Sequence, residues 1–225
     1  MRAAFFDVDE TLLTGKSMFE FLRFWLARCG DDGTAYEREA AAVRELSARG
    51  MPREEVNRAF YERFAGADAR QVRAAGRDWY ARYRARPGAF VVAGVEALAA
   101  HREAGDVVVL VSGSFGPALD PVAEDLGADR VLCTRLDVGP DGRFTGTVTE
   151  PMIGRAKADA VAKTAAGLGV SIEDCWGYGD HASDLGLLRA VGHPVVIGDD
   201  PVLAAHARDH GWPVLSQAGG GRGRR

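Results

Sequence analysis

A short apolar segment that ends in two aspartates is the feature that most constrains this chain. Residues 3–6 are uniformly apolar and are followed at once by Asp7 and Asp9. So short an apolar run predicts a strand that is buried on both faces of a sheet. Successive side chains of an extended backbone point to opposite sides, so the two carboxylates would face different parts of one site. One could attack while the other transfers protons. The alternative is a polar turn whose acids cap the next helix.

Two later apolar segments also end in small polar or acidic residues. Residues 107–111 predict a second buried strand, which leads into Ser112. Residues 175–179 predict another strand, which leads into Asp180. Ligands of open α/β sheets bind at the carboxyl ends of the strands. The ordered series therefore predicts an α/β fold with a site at that edge of the sheet.

The polar residues of these segments follow one another in a recognisable order. They are Asp7-x-Asp9-x-Thr11, Ser112, Lys157 and Gly179-Asp180-x-x-x-Asp184. In order and spacing they resemble the four motifs of the haloacid dehalogenase superfamily, most closely its subfamily IB, the phosphoserine-phosphatase-like hydrolases. The resemblance covers the chain except for its final nine residues.

This resemblance implies a doubly wound, Rossmann-like parallel sheet with an inserted all-helical cap domain. We assign residues 1–14 and 88–216 to the α/β core domain, 15–87 to the cap and 217–225 to a flexible tail. Start and stop signals in the cap predict four helices, with Ser17 and Glu20 as a capping box and Asp68 as the N-cap of the last. Their predicted ranges are 17–27, 36–49, 52–66 and 68–86.

The carboxylates at the predicted site suggest a divalent cation. A phosphate monoester is doubly negative, so an attacking carboxylate must overcome repulsion, and a cation that bridges the two removes this obstacle. Mg²⁺ prefers a few hard oxygen ligands. Asp7 and Asp180, at neighbouring strand ends, are the natural side-chain ligands. The resemblance implies the backbone carbonyl of Asp9 as a third ligand, with Asp184 acting directly or through water.

The remaining motif residues suit a phosphoryl transfer. Asp7 would form an aspartyl-phosphate, and Asp9 would first protonate the leaving alkoxide and then activate water. The Ser112 hydroxyl, the Gly113 amide and the Lys157 ammonium can bind phosphate oxygens. Lys157 lies near the start of a predicted helix over residues 155–168. It is one of only three lysines in the chain, which favours a functional role over an ordinary solvated lysine. Thr11 of the first motif is also assigned to substrate binding.

Several other functions fit the sequence less well. The resemblance implies that dehalogenases and ion-pumping ATPases of this superfamily lack the second acid of the first motif. The presence of Asp9 therefore argues against both functions. The glycines of residues 112–116 do not have the spacing of a dinucleotide-binding fingerprint. The alternatives that stay open are a phosphotransferase or phosphomutase of the same superfamily, a non-catalytic sensor of a phosphorylated ligand, and a scaffold that uses the cap.

Composition narrows the partners. The chain has 225 residues, 47% hydrophobic content and a net charge of −4, with no general nucleic-acid signature. Its apolar stretches are too short to span a membrane. We expect no signal peptide, because the N-terminus enters a predicted core strand at once. Three cysteines without metal-ligand spacing give no sign of a disulfide framework. We expect a cytoplasmic enzyme, a monomer or a dimer, that acts on a small phosphorylated metabolite.

Three features of the sequence bear on specificity. Phosphoserine phosphatases carry a glutamate at the position of Lys16, which cannot bind a substrate ammonium group in the same way. L-Phosphoserine is therefore predicted to be a poor substrate, and a metabolite with an acidic or apolar portion a better one. His181 could contact substrate or merely cap the next helix. Four arginines of the cap, at positions 70, 73, 77 and 84, could either pair with the acidic core or attract an anionic substrate.

Overall fold

The computed structural model describes residues 2–217 of the chain, and within them one seven-stranded sheet. The strand order is β4-β3-β2-β1-β5-β6-β7, and every pair is parallel except the antiparallel pair of β3 and β4. The fold class is therefore α/β with a doubly wound sheet, as predicted. The strands are β1 Ala3–Phe6, β2 Val107–Phe115, β3 Arg130–Val138, β4 Phe144–Glu150, β5 Trp176–Gly179, β6 His193–Ile197 and β7 Val214–Leu215.

Helices cover both faces of this sheet. Because side chains alternate along a strand, Phe5 and Phe6 of β1 belong to separate apolar clusters, one on each face. Both rings are fully buried, as the short apolar run predicts. The helices are α1 Ser17–Arg28, α2 Thr34–Ala48, α3 Arg53–Tyr61, α4 Ala69–Arg84, α5 Val92–Glu103, α6 Gly116–Leu126, α7 Arg155–Leu168, α8 Leu185–Ala190 and α9 Pro201–His210.

Helices α1 to α4 form the insertion between the first two strands, close to the four predicted ranges. The third is shorter than predicted, because the chain tightens into a 3₁₀ turn over Glu62–Phe64. Asp68 caps α4 as predicted, since its carboxylate accepts hydrogen bonds from the backbone of Arg70 and Gln71. The division of the chain into core and cap domains stays a prediction.

The capping box predicted for α1 is wrong. Lys16 is the N-cap of that helix and makes no side-chain cap. The backbone N–H of Ser17 instead donates to Asp9 Oδ1 over 2.9 Å, so a carboxylate of the first motif satisfies the start of the helix. Glu20 pairs with Arg86 at 3.0 Å.

Strand β2 is longer than the apolar run predicted. It continues through Ser112 to Phe115, and its pairing with β3 shifts register between these two residues. Extra residues at such a bulge bend the strand and redirect side chains, which is common beside active sites.

Of the predicted tail, residues 218–225 lie outside the described part of the chain. Gln217, the first tail residue, donates from Nε2 to the backbone oxygen of Glu10 over 2.8 Å. The end of the described chain is thus fastened to the turn that follows β1.

Candidate active site

The carboxyl ends of β1, β2 and β5 bring the predicted site residues together. Asp7 follows β1, Asp180 follows β5, and helix α7 carries Lys157 to the same point. Lys157 Nζ lies 2.5 Å from Asp7 Oδ1 and 2.6 Å from Asp184 Oδ1. All four side chains are buried. The four motifs, which span most of the sequence, therefore converge as predicted.

Three of these carboxylates could hold a metal ion. One oxygen each from Asp7, Asp180 and Asp184 lies within 4.8 Å of the others. Burial and the neighbouring carboxylate of Asp184 raise the pKa of Asp180 to about 7. Burial raises the pKa of Asp7 well above its usual range, although the ammonium of Lys157 opposes this effect. Carboxylates are hard oxygen ligands of the kind that Mg²⁺ prefers, and their combined negative charge exceeds what one lysine can balance. The cluster therefore fits Mg²⁺.

The same carboxylates keep Lys157 charged. Burial alone would disfavour its ammonium, but Asp184 and Asp7 outweigh burial and raise the pKa of Lys157. The side chain is therefore a buried positive charge that contacts two carboxylates, and it is not an ordinary solvated lysine.

Asp9 stands apart from this charge cluster. Its Oδ1 accepts the hydrogen bond from the Ser17 backbone described above, and burial raises its pKa to about 6 in spite of that bond. The turn beyond it passes through Glu10, whose φ of 66° lies in the left-handed region. Such a conformation costs a non-glycine residue about 1–2 kcal/mol, and strain of this kind clusters at functional sites. A carboxyl whose pKa is raised in this way is a candidate for proton transfer near neutral pH.

Thr11 has a different position from the one predicted. Its side chain is fully buried and its hydroxyl donates to Asp180 Oδ1 over 2.8 Å. It is not among the residues that line the cavity around Asp7. Thr11 therefore orients a carboxylate of the cluster, and the substrate contact predicted for it is wrong because the hydroxyl turns into the protein.

The bulge in β2 shapes the phosphate-binding candidates. The backbone N–H of Ser114 donates to Ser112 Oγ over 3.0 Å, which leaves the hydroxyl proton of Ser112 free to donate into the cavity. The carbonyl oxygen of Gly113 accepts from Asn57 Nδ2 at 2.8 Å, Thr134 Oγ1 at 2.8 Å and Tyr61 Oη at 3.2 Å. These contacts fix the peptide whose N–H holds Ser112.

Sequence reasoning missed the residues that fix this peptide. Asn57 and Tyr61 lie one helical turn apart on α3 and are buried, at 4% and 0% exposure. No motif marks them. The available signal was an amide four residues before a tyrosine, on a helical face that is otherwise apolar.

Two residues predicted to contact substrate, Lys16 and His181, line the cavity around Asp7. His181 Nδ1 accepts the backbone N–H of Ser183 over 3.0 Å, so His181 caps the 3₁₀ turn over Ala182–Asp184, one of its two predicted roles. Its ring also contacts Arg53, which the sequence did not single out: Nη1 lies 3.2 Å from Nδ1. Burial, followed by the guanidinium of Arg53, lowers the pKa of His181. Lys16 Nζ lies 3.0 Å from Glu10 Oε2.

The arginines of α4 lie elsewhere. Arg84 Nη1 pairs with Asp125 of α6 at 2.8 Å. Within the described chain, none of the four arginines singled out in the sequence, at positions 70, 73, 77 and 84, lines the cavity around Asp7 or the larger cavity beside it. For Arg84, this arrangement favours the interpretation that the helical insertion pairs with the acidic core.

Comparison with known proteins agrees with this arrangement. The sequence matches the model of the haloacid dehalogenase-like hydrolases over residues 4–189. The chain belongs to this family. The resemblance drawn from the four motifs is thus confirmed, and the predicted enzyme class, a phosphoric monoester hydrolase, agrees with a family that includes relatives named phosphatases.

Several relatives of this haloacid dehalogenase-like chain are curated. It is 43% identical over 115 residues to an inhibition of morphological differentiation protein of Streptomyces azureus, covering 51% of this chain and 42% of that protein. It is 34% identical over 217 residues to a probable phosphatase of Mycobacterium tuberculosis, covering 95% and 75%. It is 33% identical over 209 residues to a phosphoserine phosphatase of Streptomyces coelicolor, covering 91% and 46%. The chain thus spans less than half the length of the two Streptomyces proteins.

Solved structures share the fold. A protein of unknown function from Bordetella pertussis Tohama I has a TM-score of 0.84 and 28% identity, with coverage of 96% of this chain and 98% of that one. A substrate-bound phosphoserine phosphatase has a TM-score of 0.66 and 23% identity, with coverage of 95% and 91%. Within the described residues, no helix is both long enough and apolar enough to cross a membrane.

Proposed function

We propose that this chain is a Mg²⁺-dependent phosphatase that hydrolyses a small-molecule phosphate monoester through an aspartyl-phosphate on Asp7. The observation that carries the proposal is the contact of Asp7 with Lys157, 2.5 Å apart and beside two further buried carboxylates. A carboxylate nucleophile with a lysine and an acidic metal site suits attack on a dianionic phosphate.

The residues present fit the metal. The carboxylates of Asp7, Asp180 and Asp184 would hold Mg²⁺ together with the backbone carbonyl of Asp9, and Thr11 orients Asp180. When bound, Mg²⁺ supplies positive charge that neutralises the phosphate oxygens. Lys157 balances the carboxylates, and the Ser112 hydroxyl and Gly113 amide are the donors proposed for the phosphate.

Asp9 moves the protons. As an Asp7 oxygen attacks phosphorus, the bond from phosphorus to the alcohol oxygen breaks, and that oxygen takes the proton of Asp9. The Asp9 carboxylate then removes a proton from water, which attacks the phosphorus of the aspartyl-phosphate and releases inorganic phosphate and Asp7. A pKa of about 6 lets Asp9 hold the proton in the first step and accept one in the second.

The experiment that tests this proposal is inorganic phosphate release from a broad panel of phosphorylated metabolites, with and without Mg²⁺. Wild type is compared with Asp7→Asn and with a matched control, Asp174→Asn, an exposed residue ahead of β5. Turnover that requires both Mg²⁺ and Asp7, and survives in the control, is the expected result. Turnover that persists in Asp7→Asn would contradict the proposal.

A labelling experiment separates the two chemical steps. With ³²P-labelled 4-nitrophenyl phosphate, whose leaving group needs little protonation, Asp9→Asn should accumulate acid-stable label because the second step lacks its base. Asp7→Asn should take up none. Label without phosphate release in wild type would instead indicate a phosphotransferase, and binding without label a sensor.

Substrate and setting are the finer parts of the proposal. Two of the relatives and structures above are phosphoserine phosphatases, yet the Lys16 side chain lines the cavity around Asp7. We therefore expect L-phosphoserine to be a poor substrate and a small metabolite with an acidic or apolar portion to be a good one. Location in the cytoplasm and a monomeric or dimeric state stay predictions.

A further inference from the structure

A large cavity opens beside the phosphate site. It has a volume of about 700 Å³ and lies among α1, α2 and α3. The cavity around Asp7 measures only about 80 Å³, which leaves room for little more than the phosphoryl group itself. Ligand pockets for drug-sized molecules span roughly 300–1,000 Å³. The two cavities share four lining residues, which form a neck between them: Lys16, Met18, Arg53 and Ile153.

Much of the wall of the large cavity is apolar. Side chains from three different helices contribute to it. Apolar surface of this kind favours a ligand with a hydrocarbon or aromatic body. The apolar side chains are Met18, Phe19, Val43, Met51 and Val56, with the ring of Tyr36 beside them.

The charged groups of the wall are nearly all basic. They are Lys16, Arg23, Arg44 and Arg53, against the single acid Glu20, which Arg86 already pairs at 3.0 Å.

Two of these arginines share a single acidic partner. Glu37 Oε1 lies 3.4 Å from Arg23, and its Oε2 lies 3.9 Å from Arg44. Both pairs are well exposed, and ion pairs of that kind contribute little. Positive charge is therefore left for a ligand. Arg44 lines the large cavity but not the one around Asp7, so it lies beyond the neck.

We infer that this large cavity receives the alcohol portion of the substrate, and that this alcohol has an apolar body ending in a second anionic group. The inference rests on the proposed phosphatase function and adds to it a substrate class. The substrates are phosphate monoesters larger than phosphoserine, with a distal carboxylate or second phosphate and no ammonium group. Arg44 is the specificity-determining residue assigned to the distal anion.

Four synthetic phosphates test this class. The first three are 4-(2-carboxyethyl)phenyl phosphate, the corresponding primary amide and 4-(2-aminoethyl)phenyl phosphate. Two methylene groups insulate the distal charge from the ring, so the three leaving groups have similar acidity. The fourth is 4-(2-phosphonoethyl)phenyl phosphate, which distinguishes a preference for a phosphate-like dianion from one for a carboxylate.

The expected order of kcat/KM places both anionic probes at least tenfold above the amide, and the amine last. Arg44→Met should bring the ratio of the carboxylate to the amide to within about twofold of unity, mainly through KM. Its matched control is Arg38→Met, an exposed arginine of the same helix that pairs with Glu39. This control should keep the wild-type ratio. Equal kcat/KM for carboxylate and amide in wild type, or a preference for the amine, would overturn the inference.

Binding to a silent variant separates this inference from the proposed function. Calorimetry of Asp7→Asn with the carboxylate and amide probes reports the preference of the cavity without turnover. A tighter Kd for the carboxylate, lost in the double variant with Arg44→Met, supports the inference even if wild type hydrolyses nothing. Equal Kd values with active wild type would overturn the inference and leave the phosphatase proposal standing.

Discussion

Asn57 donates a hydrogen bond from Nδ2 to the backbone oxygen of Gly113 over 2.8 Å. The donor lies on α3 of the helical insertion, and the acceptor lies in the bulge of β2 that carries Ser112. The insertion therefore contacts the phosphate-binding segment itself. Because the N–H of the same peptide, that of Ser114, donates to Ser112 Oγ, the position of α3 is linked to the direction of that hydroxyl.

Replacement of Asn57 by alanine should impair turnover more than folding. Gly113 would keep the bonds from Thr134 and Tyr61, but the segment would lose one of its three restraints. We expect kcat to fall about tenfold, which corresponds to about 1.4 kcal/mol, with a smaller change in KM. Tyr61→Phe removes the longer bond and should have a smaller effect. The control is Gln71→Ala, which removes an exposed amide on α4. A rise in KM with unchanged kcat in Asn57→Ala would contradict the positioning role.

Lys157→Met should be inactive and most unstable at high pH. Without the ammonium, Asp7 and Asp184 lose their partner in a buried site, and an uncompensated buried charge costs roughly 3–5 kcal/mol. We expect kcat to fall by about two to three orders of magnitude. The loss in melting temperature should be larger at pH 8 than at pH 5, because protonation relieves the carboxylates.

The control for that experiment is Lys163→Met, an exposed lysine of the same helix. It should match wild type in activity and in melting temperature at both pH values. An equal loss of stability for Lys157→Met at pH 5 and pH 8 would mean that packing, and not charge, explains the effect.

The sequence predicted the strands that carry the site and the polar residues at their ends, because both depend on local patterns. Apolar runs at 3–6 and 107–111 identify buried strands by composition alone, and the acids and the serine follow from where those runs end. Helix α7 was predicted with the same bounds as observed.

The parts that sequence could not predict depend on tertiary contacts. Ser17 fits a capping box by sequence, yet Asp9, eight residues earlier, satisfies its N–H because the fold brings the turn back to the helix. Thr11 reads as a motif residue, but only the packing of β5 beside β1 decides that it donates to Asp180. Asn57 and Gly113 are 56 residues apart, and the local pattern around Asn57 does not reveal which backbone group its amide meets.

Gly179→Ala should weaken Mg²⁺ binding. A Cβ at this position would lie 2.6 Å from the Cβ of Asp184 and 3.1 Å from its Cγ, so the carboxylate would have to move away from Lys157. We expect the stabilisation of the folded protein by Mg²⁺, measured as the shift in melting temperature across a titration, to require at least tenfold more metal. Gly167→Ala is the matched control: it has open space at its Cβ and lies inside α7. The control should gain about 0.5–1 kcal/mol of stability and keep its Mg²⁺ response.

Asp9→Asn should stabilise the metal-free protein at alkaline pH. The folded-state pKa of Asp9 is raised from 3.8 to about 6 by burial. Below the unfolded-state value the carboxyl is protonated in both states, so its burial costs no charge. As the pH rises from about 4 to 6, the unfolded chain loses this proton while the folded protein keeps it, so stability falls. Above pH 6 the folded protein buries a carboxylate and the loss levels off at up to about 3 kcal/mol, since one pKa unit corresponds to 1.36 kcal/mol.

An amide at this position avoids that cost. It can still accept the Ser17 N–H, and the buried Ser17 Oγ, which makes no hydrogen bond within the described chain, can accept from its NH₂ group. Urea unfolding in EDTA should therefore give a gain of about 1–3 kcal/mol at pH 8 that shrinks as the pH is lowered to 4.5. Asp174→Asn should show no such trend. A gain of equal size at both pH values would mean that the cost of burying the charge is not its cause. The predicted trend, together with lost turnover, would indicate that this carboxylate is retained for catalysis at the expense of stability.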